Sequence, residues 1–499
     1  MSLTVDYAAP AWPNPRKVTR NAVVLTAFLV LQKLLALVQQ VMIGRVSGLS
    51  AEADAFYIAQ TVPLLAGGLI MVALTNTLIP ILRSGDDRRA AGLYVNILAL
   101  LAVSSLVLWA FAPDVVGLIG YGLPRPSADT AVRLLREMAV LLLFQGASGI
   151  LTALYYRRFR FVIPSIGGCL LYVGAITGVV LRPWTGVDSF AWGMVAGGAA
   201  QVLLLSSFAG RQEWQRPIYG WQLLAGFSAS FLSILIASAA GVNLMVDRPF
   251  ASFGRPGTVT AVTIATGLIT VPSTMVVFSL NSALLPALVS LKDDRNAFAA
   301  MFRHAFSYMA LFLGPANLIL FFTGAPIIRL LFHSARFDND SVQMTSTLVA
   351  AYSLGIFGSA LRDMLGNVLI SRGGEWIAMT AGIVGLAVSI SLKLVYLAPD
   401  TPAWIAFSTS IATWTSAAIV LAGTAVLIPV DWLRLWRESG RRLALANGLF
   451  LGLCLVLRPY TQSQSQSYIP VLVLVGAGAV YLAAAWLGFR KSRASPTVK

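Results

Sequence analysis

Lys33 is the residue whose place most needs a chemical reason. It stands in an apolar run at 22–43, well away from either end. A charged side chain at that depth in a bilayer costs roughly 2.5–3.5 kcal/mol or more, so such residues usually face an aqueous path. Gln32, Gln39 and Gln40 flank it. At helical spacing Lys33 and Gln40, with Gln39 less closely, share a broad face. A cation in a cavity suits an anionic group such as a phosphate or diphosphate. The neighbouring amides suit sugar hydroxyls.

Other polar residues fall inside or beside apolar runs. Arg362 and Asp363 lie within 344–370, with Asn367 a turn further. Being adjacent, they are expected to point to different faces, each toward another partner. Asn243 and Asp247 share a face at the end of one run, and Lys393 lies near the end of another. Both Asp247 and Lys393 are close enough to an interface for snorkelling or capping to be an equal alternative to a pathway role. Asp54 precedes a helix, where capping free N–H groups competes with substrate contact. Arg45, Asp54, Asn76, Asn281 and Arg362 join Lys33, Gln39 and Gln40 as substrate-binding candidates. Asn243, Asp247 and Asp363 are the candidates for ion coupling. No cofactor is expected, and membrane potential, sodium and protons all stay open as energy sources.

Catalysis has little to stand on. His304 and His333 are the only histidines, which disfavours a histidine-based zinc site, and no metal is expected. Asp338-Asn339-Asp340 has the Asp-x-Asp form of a membrane glycosyltransferase. It lies in a short loop on the expected outer face, where a solvated loop is the better reading. Cys169 and Cys454 both sit mid-run, so no disulfide framework is expected. The chain is not expected to be an enzyme.

The elements that hold these residues follow from composition. The 499 residues are 57% hydrophobic and 11% charged, with a mean hydropathy of +0.78. Soluble chains carry about a quarter charged residues. The apolar residues fall in runs long enough to cross a hydrocarbon core about 30 Å thick. They lie at 22–43, 56–82, 90–111, 132–155, 161–181, 190–209 and 221–246, then at 259–291, 302–323, 344–370, 377–397, 403–428, 443–457 and 468–489. The expected fold is therefore an all-α polytopic membrane protein of about fourteen transmembrane helices.

The net charge of +16 is topogenic. With the N-terminus in the cytoplasm, Arg16, Lys17, Arg20, Arg83, Arg88, Arg89, Arg157, Arg158 and Arg160 gather on one side, as do most later cations. Fewer, among them Arg45, Arg125, Arg182 and Arg336, fall on the other. This is the positive-inside bias, and it places both termini in the cytoplasm. No basic patch with interleaved aromatics asks for nucleic acid. Residues 1–21 are polar, and the first run reads as a retained helix, not a signal peptide.

The segment Ala73-Leu-Thr-Asn-Thr-Leu-Ile-Pro-Ile-Leu82 echoes Ser279-Leu-Asn-Ser-Ala-Leu-Leu-Pro-Ala-Leu288. Transporters are commonly built from such repeats, with the substrate site between them. Pro63, Gly67-Gly68, Pro272 and Gly314-Pro315 are the expected bends. The resulting division is a cytoplasmic segment 1–21, an N-lobe 22–216 with six spans, a C-lobe 217–428 with six spans, two further spans in 429–489, and a cytoplasmic tail 490–499.

An ordered series of segments resembles one family. Gly44-Arg-Val-Ser-Gly-Leu-Ser-Ala-Glu-Ala-Asp-Ala-Phe-Tyr-Ile-Ala59, Pro63 and Leu78-Ile-Pro-Ile-Leu82 look like the first two helices of the MurJ/MviN lipid II flippases. Those belong to the multidrug/oligosaccharidyl-lipid/polysaccharide exporter superfamily. Val242-Asn-Leu-Met-Val-Asp247, Ala251-Ser-Phe253, Leu284-Leu-Pro286, Leu331-Phe-His-Ser-Ala-Arg-Phe337 and Ala350-Ala-Tyr-Ser-Leu-Gly355 follow in order. The resemblance implies two six-helix lobes around a central cavity and two C-terminal helices beside a lipid-accessible groove. It implies flipping of a polyprenyl-diphosphate-linked saccharide from the cytoplasmic to the periplasmic leaflet of a bacterial inner membrane, by alternating access. Its implied partners are that lipid-linked saccharide, membrane lipids and cell-envelope biosynthesis proteins.

The family's cavity arginines carry over only in part. Lys33 falls where the first helix has an arginine, and Asp54 matches the family aspartate. Gln39, Gly67 and Gly267 stand where arginine is expected, and Gly373-Gly-Glu-Trp376 replaces an Asp-x-Lys-Thr-Pro-like turn. Either Arg362 and Arg45 supply charge from elsewhere, or the ligand is less anionic, or the chain is a divergent paralogue. The alternatives to lipid II are a precursor of a non-peptidoglycan polysaccharide, or small molecules exported in the manner of cation-coupled multidrug transporters.

Overall fold

The computed structural model describes residues 15–83, 87–157, 160–208, 243–290, 295–370, 374–396, 401–427 and 447–456, with isolated residues between 472 and 481. Side chains are described over a narrower range, which leaves out those of Asn76, Asn243 and Asn281. Those three candidate residues therefore stay untested. The expected lobe boundaries at 216–217 and 428–429 also lie outside the described residues.

The elements in chain order are α1 (Pro15–Ser47), α2 (Ala51–Ala59), α3 (Thr61–Arg83), α4 (Asp87–Ala110), α5 (Ala112–Ile119), α6 (Arg125–Met138), α7 (Leu141–Arg157), α8 (Val162–Thr185) and α9 (Asp188–Phe208). They continue as α10 (Asn243–Ala251), α11 (Thr258–Ser290), α12 (Arg295–Phe332), α13 (Asn339–Ile370), α14 (Glu375–Val395) and α15 (Ala403–Leu427). A short apolar helix, α16, covers Asn447–Val456. Among the described residues no strand is present; an isolated bridge pairs Ser334 with Phe337. Hydrocarbon offers the backbone no hydrogen-bond partner, so a chain this apolar satisfies its N–H and C=O groups within helices.

Among the described residues ten helices are long and apolar enough to cross a membrane, and a bent pair over 94–119 would make an eleventh. The expected runs at 221–246 and 468–489 lie largely outside the described residues; of 443–457, residues 447–456 are described and form α16. Two expected loops are helical instead. Residues 112–131 hold α5, bent 70° from α4, and the start of α6, which buries Ala131, Leu134, Leu135 and Met138. Residues 324–332 continue α12 past a kink at Thr323 (φ −115°, ψ 17°). Pro326 explains that kink, since its ring clashes with a carbonyl one turn back and it has no N–H to donate. The expected bend at Gly314-Pro315 lies instead within helical backbone. Near Pro63 α2 passes into α3 at Gln60, whose backbone stays helical (φ −73°, ψ −13°), so that Ala51–Thr75 runs as one apolar span.

The two halves repeat one packing scheme. In the first, α7 packs on α3, α4 and α9, and α8 packs on α9. In the second, α13 packs on α11, α12 and α15, and α14 packs on α15. The echoed segments around Pro80 and Pro286 fall near the ends of α3 and α11, equivalent helices in this scheme. Between the halves run α1 against α11 and α12, α2 against α10 and α11, and α5 against α10. The two packed halves are called the N-lobe and the C-lobe.

Candidate functional site

Helix α1 is the strut between lobes. On its N-lobe side the Gln32 Nε2 donates to the Ser165 carbonyl of α8, 3.2 Å away. On its C-lobe side Gln40 lies over Gly267 of α11, where a Cβ would meet the amide oxygen at 1.9 Å. One turn beyond, Gly44 faces Phe332 of α12 and Ile264 of α11. Residues seven apart on a helix lie within about 20° of each other in direction. Lys33, Gln40 and Gly44 therefore form one stripe turned toward the C-lobe. Lys33 is partly buried and stands about 10 Å along the axis from Gln40.

Beyond Gly267, α11 carries hydroxyls. Thr270 and Ser273 return their hydroxyls to carbonyls one turn back, at 2.9 Å and 3.2 Å for the closest. Both are only partly buried. Sequence reasoning passed over these two residues.

At the two glycines that stand where the resemblance leads one to expect arginine, a glutamine packs against the backbone. A Cβ at Gly67 would meet Gln145 at 3.0 Å, and Gln39 is buried. An arginine at Gly67 or Gly267 would have to displace an amide already packed there. These positions thus carry amides where the resemblance leads one to expect guanidinium groups.

Asp54 takes the capping role, but for a different helix from the one expected. Its own helix, α2, is capped by Ser50, whose Oγ accepts from the Ala53 N–H at 3.3 Å. The Asp54 carboxylate accepts instead from Gly257 N–H (2.6 Å), Thr260 N–H (2.7 Å) and Thr260 Oγ1–H (2.6 Å). It is 2% exposed, so an N-lobe carboxylate stabilises the N-terminus of a C-lobe helix.

The same end carries further links between lobes. Arg45, a substrate-binding candidate, lies about 18 Å along α1 from Lys33. It donates to the Leu331 (2.6 Å) and Leu330 (3.1 Å) carbonyls at the end of α12. Arg336 donates to the Val46 carbonyl at 2.9 Å. Within the N-lobe, Arg182 donates to the same carbonyl and pairs with Glu52, both at 2.9 Å. Arg248, buried in α10, reaches the α2–α3 junction and donates to Tyr57 O (3.2 Å) and Thr61 Oγ1 (3.0 Å). The hydrogen bonds described between lobes cluster here.

Asp247 and Lys393 correct an expectation. Neither snorkels: their side chains are 0% exposed and pair at 2.7 Å. Lys393 also donates to Thr409 Oγ1 at 2.9 Å and to Ser389 Oγ. Asp247 accepts from the Tyr352 hydroxyl (2.5 Å) and Thr409 Oγ1 (2.7 Å). The four helices α10, α13, α14 and α15 meet at this cluster. Tyr352, Ser389 and Thr409 went unnoticed in the sequence; a buried lysine's need for a carboxylate was the available signal.

Arg362 and Asp363, expected on different faces, also meet. They bind each other, the guanidinium donating to Asp363 Oδ1 at 2.8 Å and 3.0 Å, although adjacent residues start in different directions. The pair is partly exposed, with Arg362 at 14% and Asp363 at 41%. Asp338, half of the Asp-x-Asp segment, accepts from the Ser341 N–H at 2.9 Å and caps the start of α13. That hydrogen bond holds its carboxyl below the usual range.

Comparisons with known proteins agree with this architecture. The family model described as Lipid II flippase MurJ matches residues 43–475. Among curated relatives, the "Lipid II flippase MurJ" of Burkholderia cenocepacia is 25% identical, across 88% of this chain and 95% of that one. The "Probable lipid II flippase MurJ" of Bdellovibrio bacteriovorus is 24% identical, across 77% of each. Among solved structures, a lipid II flippase MurJ in an inward closed conformation superposes with a TM-score of 0.80 at 17% identity, covering 95% of this chain and all of that one. An inward-facing multidrug resistance MATE family transporter of the MOP superfamily gives 0.67 at 12% identity, covering 84% and 99%.

Proposed function

The chain belongs to the lipid II flippase MurJ family, and from that premise we propose that it carries lipid II from the cytoplasmic to the periplasmic leaflet by alternating access. Flipping is transport, so the protein is not an enzyme; it works as a multi-pass protein of the bacterial inner membrane. The observation that carries the proposal beyond family membership is the placement of the contacts between lobes. They gather at the end that holds Asp54, Arg45 and Arg248, and the positive-inside bias makes that end periplasmic. In this arrangement the periplasmic end is closed, and substrate enters from the opposite side.

In this reading Lys33 meets the diphosphate. Its stripe looks toward α11, and an ammonium supplies charge where a lipid-linked diphosphate needs it. Gln39, Gln40, Thr270 and Ser273 offer amides and hydroxyls to the sugar. Asp54, Arg45 and Arg248 act on the conformational change and leave the substrate to Lys33. The chain's partners are the lipid-linked saccharide, the surrounding lipids and the proteins that make and consume the precursor. Both termini face the cytoplasm.

The test is complementation of a cell depleted of its lipid II flippase. Wild type is expected to restore growth, Lys33→Ala to abolish rescue, and Lys33→Arg to retain it. Failure of the wild type to rescue while present in the membrane at normal abundance would overturn the lipid II reading.

A further inference from the structure

Lys393 presents three N–H donors, and each finds an oxygen: Asp247 Oδ1 at 2.7 Å, Thr409 Oγ1 at 2.9 Å and Ser389 Oγ. Those oxygens come from α10, α15 and α14. Tyr352 and Thr409 in turn hold the two carboxylate oxygens of Asp247 in place. A buried ion pair is by itself a poor stabiliser, because desolvation offsets its attraction. This one has what most lack, a saturated and convergent shell of oxygens built by four helices. An oxygen-only donor set with a single carboxylate is the kind that suits a hard cation. A narrow cleft lined by Phe250, Thr258, Tyr396 and Trp404 reaches Lys393.

We propose that this cluster is a monovalent-cation cage whose permanent occupant is the ammonium of Lys393, so that the chain carries a tethered cation where a diffusible one could sit. Asp247 is then spoken for. It leaves the list of coupling residues, and transport proceeds without sodium. The cage is a property of the fold alone; only its consequence for coupling rests on the flippase reading.

The cage is tested by thermal unfolding of the purified full chain in sodium, potassium or N-methylglucamine chloride at equal ionic strength. Wild type is expected to unfold at the same temperature in all three. Lys393→Ala is expected to unfold lower, and to regain about 3 °C on adding sodium. The double variant Lys393→Ala, Asp247→Asn removes the carboxylate and is expected to lose the sodium response. Should Lys393→Ala fail to fold, Lys393→Asn keeps a polar side chain and takes its place. A sodium-sensitive wild type, or a truncated variant indifferent to sodium, overturns the cage.

In proteoliposomes, wild-type flipping of a fluorescent lipid-linked saccharide is expected to ignore the direction of a sodium gradient. A rate that follows the gradient overturns sodium independence. Loss of all flipping beside an intact unfolding pattern overturns the function and leaves the cage standing.

Discussion

At the scale of single residues, the polar groups divide by what they touch. Lys33 lies on a helical stripe turned toward the other lobe, and the role proposed for it rests on that placement. Asp54, Arg45 and Arg248 have their hydrogen bonds taken by backbone and hydroxyl groups across the lobe boundary. Asp54 is the most telling. A hydrogen bond to a charged group contributes about 1.5–3 kcal/mol, and here two N–H groups at a helix start and a hydroxyl converge on one carboxylate. Asp54→Asn keeps the shape, removes the charge and sets an NH2 against an N–H. It is expected to weaken the closed end by about 2–3 kcal/mol, seen as faster labelling of a cysteine at Leu49 by a membrane-impermeant thiol reagent. Labelling no faster than in the parent would mean that Asp54 does not hold the lobes together.

At the scale of elements, small residues set how closely helices approach. Gly174 and Gly178 on α8 face Gly193 and Gly197 on α9, and a Cβ at any of them would lie 2.2–2.6 Å from the neighbouring backbone. Both helices carry the small-xxx-small spacing that brings backbones together in lipid. Gly193→Val is therefore expected to force α8 and α9 apart, lowering the unfolding midpoint by several degrees, whereas Gly68→Val meets open space and is expected to change it little. Equal midpoints for the two variants would refute the close-packing account. Gly48 answers a different need: at φ +65°, it lets the α1–α2 connection pass the Arg336 carbonyl, which a Cβ would approach to 2.0 Å.

At the scale of the whole molecule, α10 ties the lobes to each other through neighbouring residues. Asp247 turns into the C-lobe and Arg248 into the N-lobe. The first contact is a buried ion pair, and removing one partner of such a pair costs about 3–5 kcal/mol. The second joins a guanidinium to neutral oxygens. When the lobes separate, α10 is expected to travel with the C-lobe. Tyr121 of the N-lobe and Phe253 of the C-lobe have ring centroids 5.9 Å apart at this end. Cysteines placed there and joined by a short cleavable linker are expected to stop flipping, and cleavage to restore it. Cys169 and Cys454 are buried and do not compete. Continued flipping in the linked protein would show that this end does not open.

The sequence alone determined the solvent, the element type and the order of the spans. Burying apolar runs in hydrocarbon forces helices. It also singled out Lys33, because a cation at that depth in an apolar run has few bland explanations. Only the tertiary structure decided where each polar side chain finds its partner. Asp54 meets residues more than two hundred positions away, and Asp247 meets a lysine from another helix. Arg362 turns back on its own neighbour. Helical periodicity reports which face a residue is on, whereas a hydrogen bond depends on which helix faces it and at what height, and that is settled by packing between distant segments.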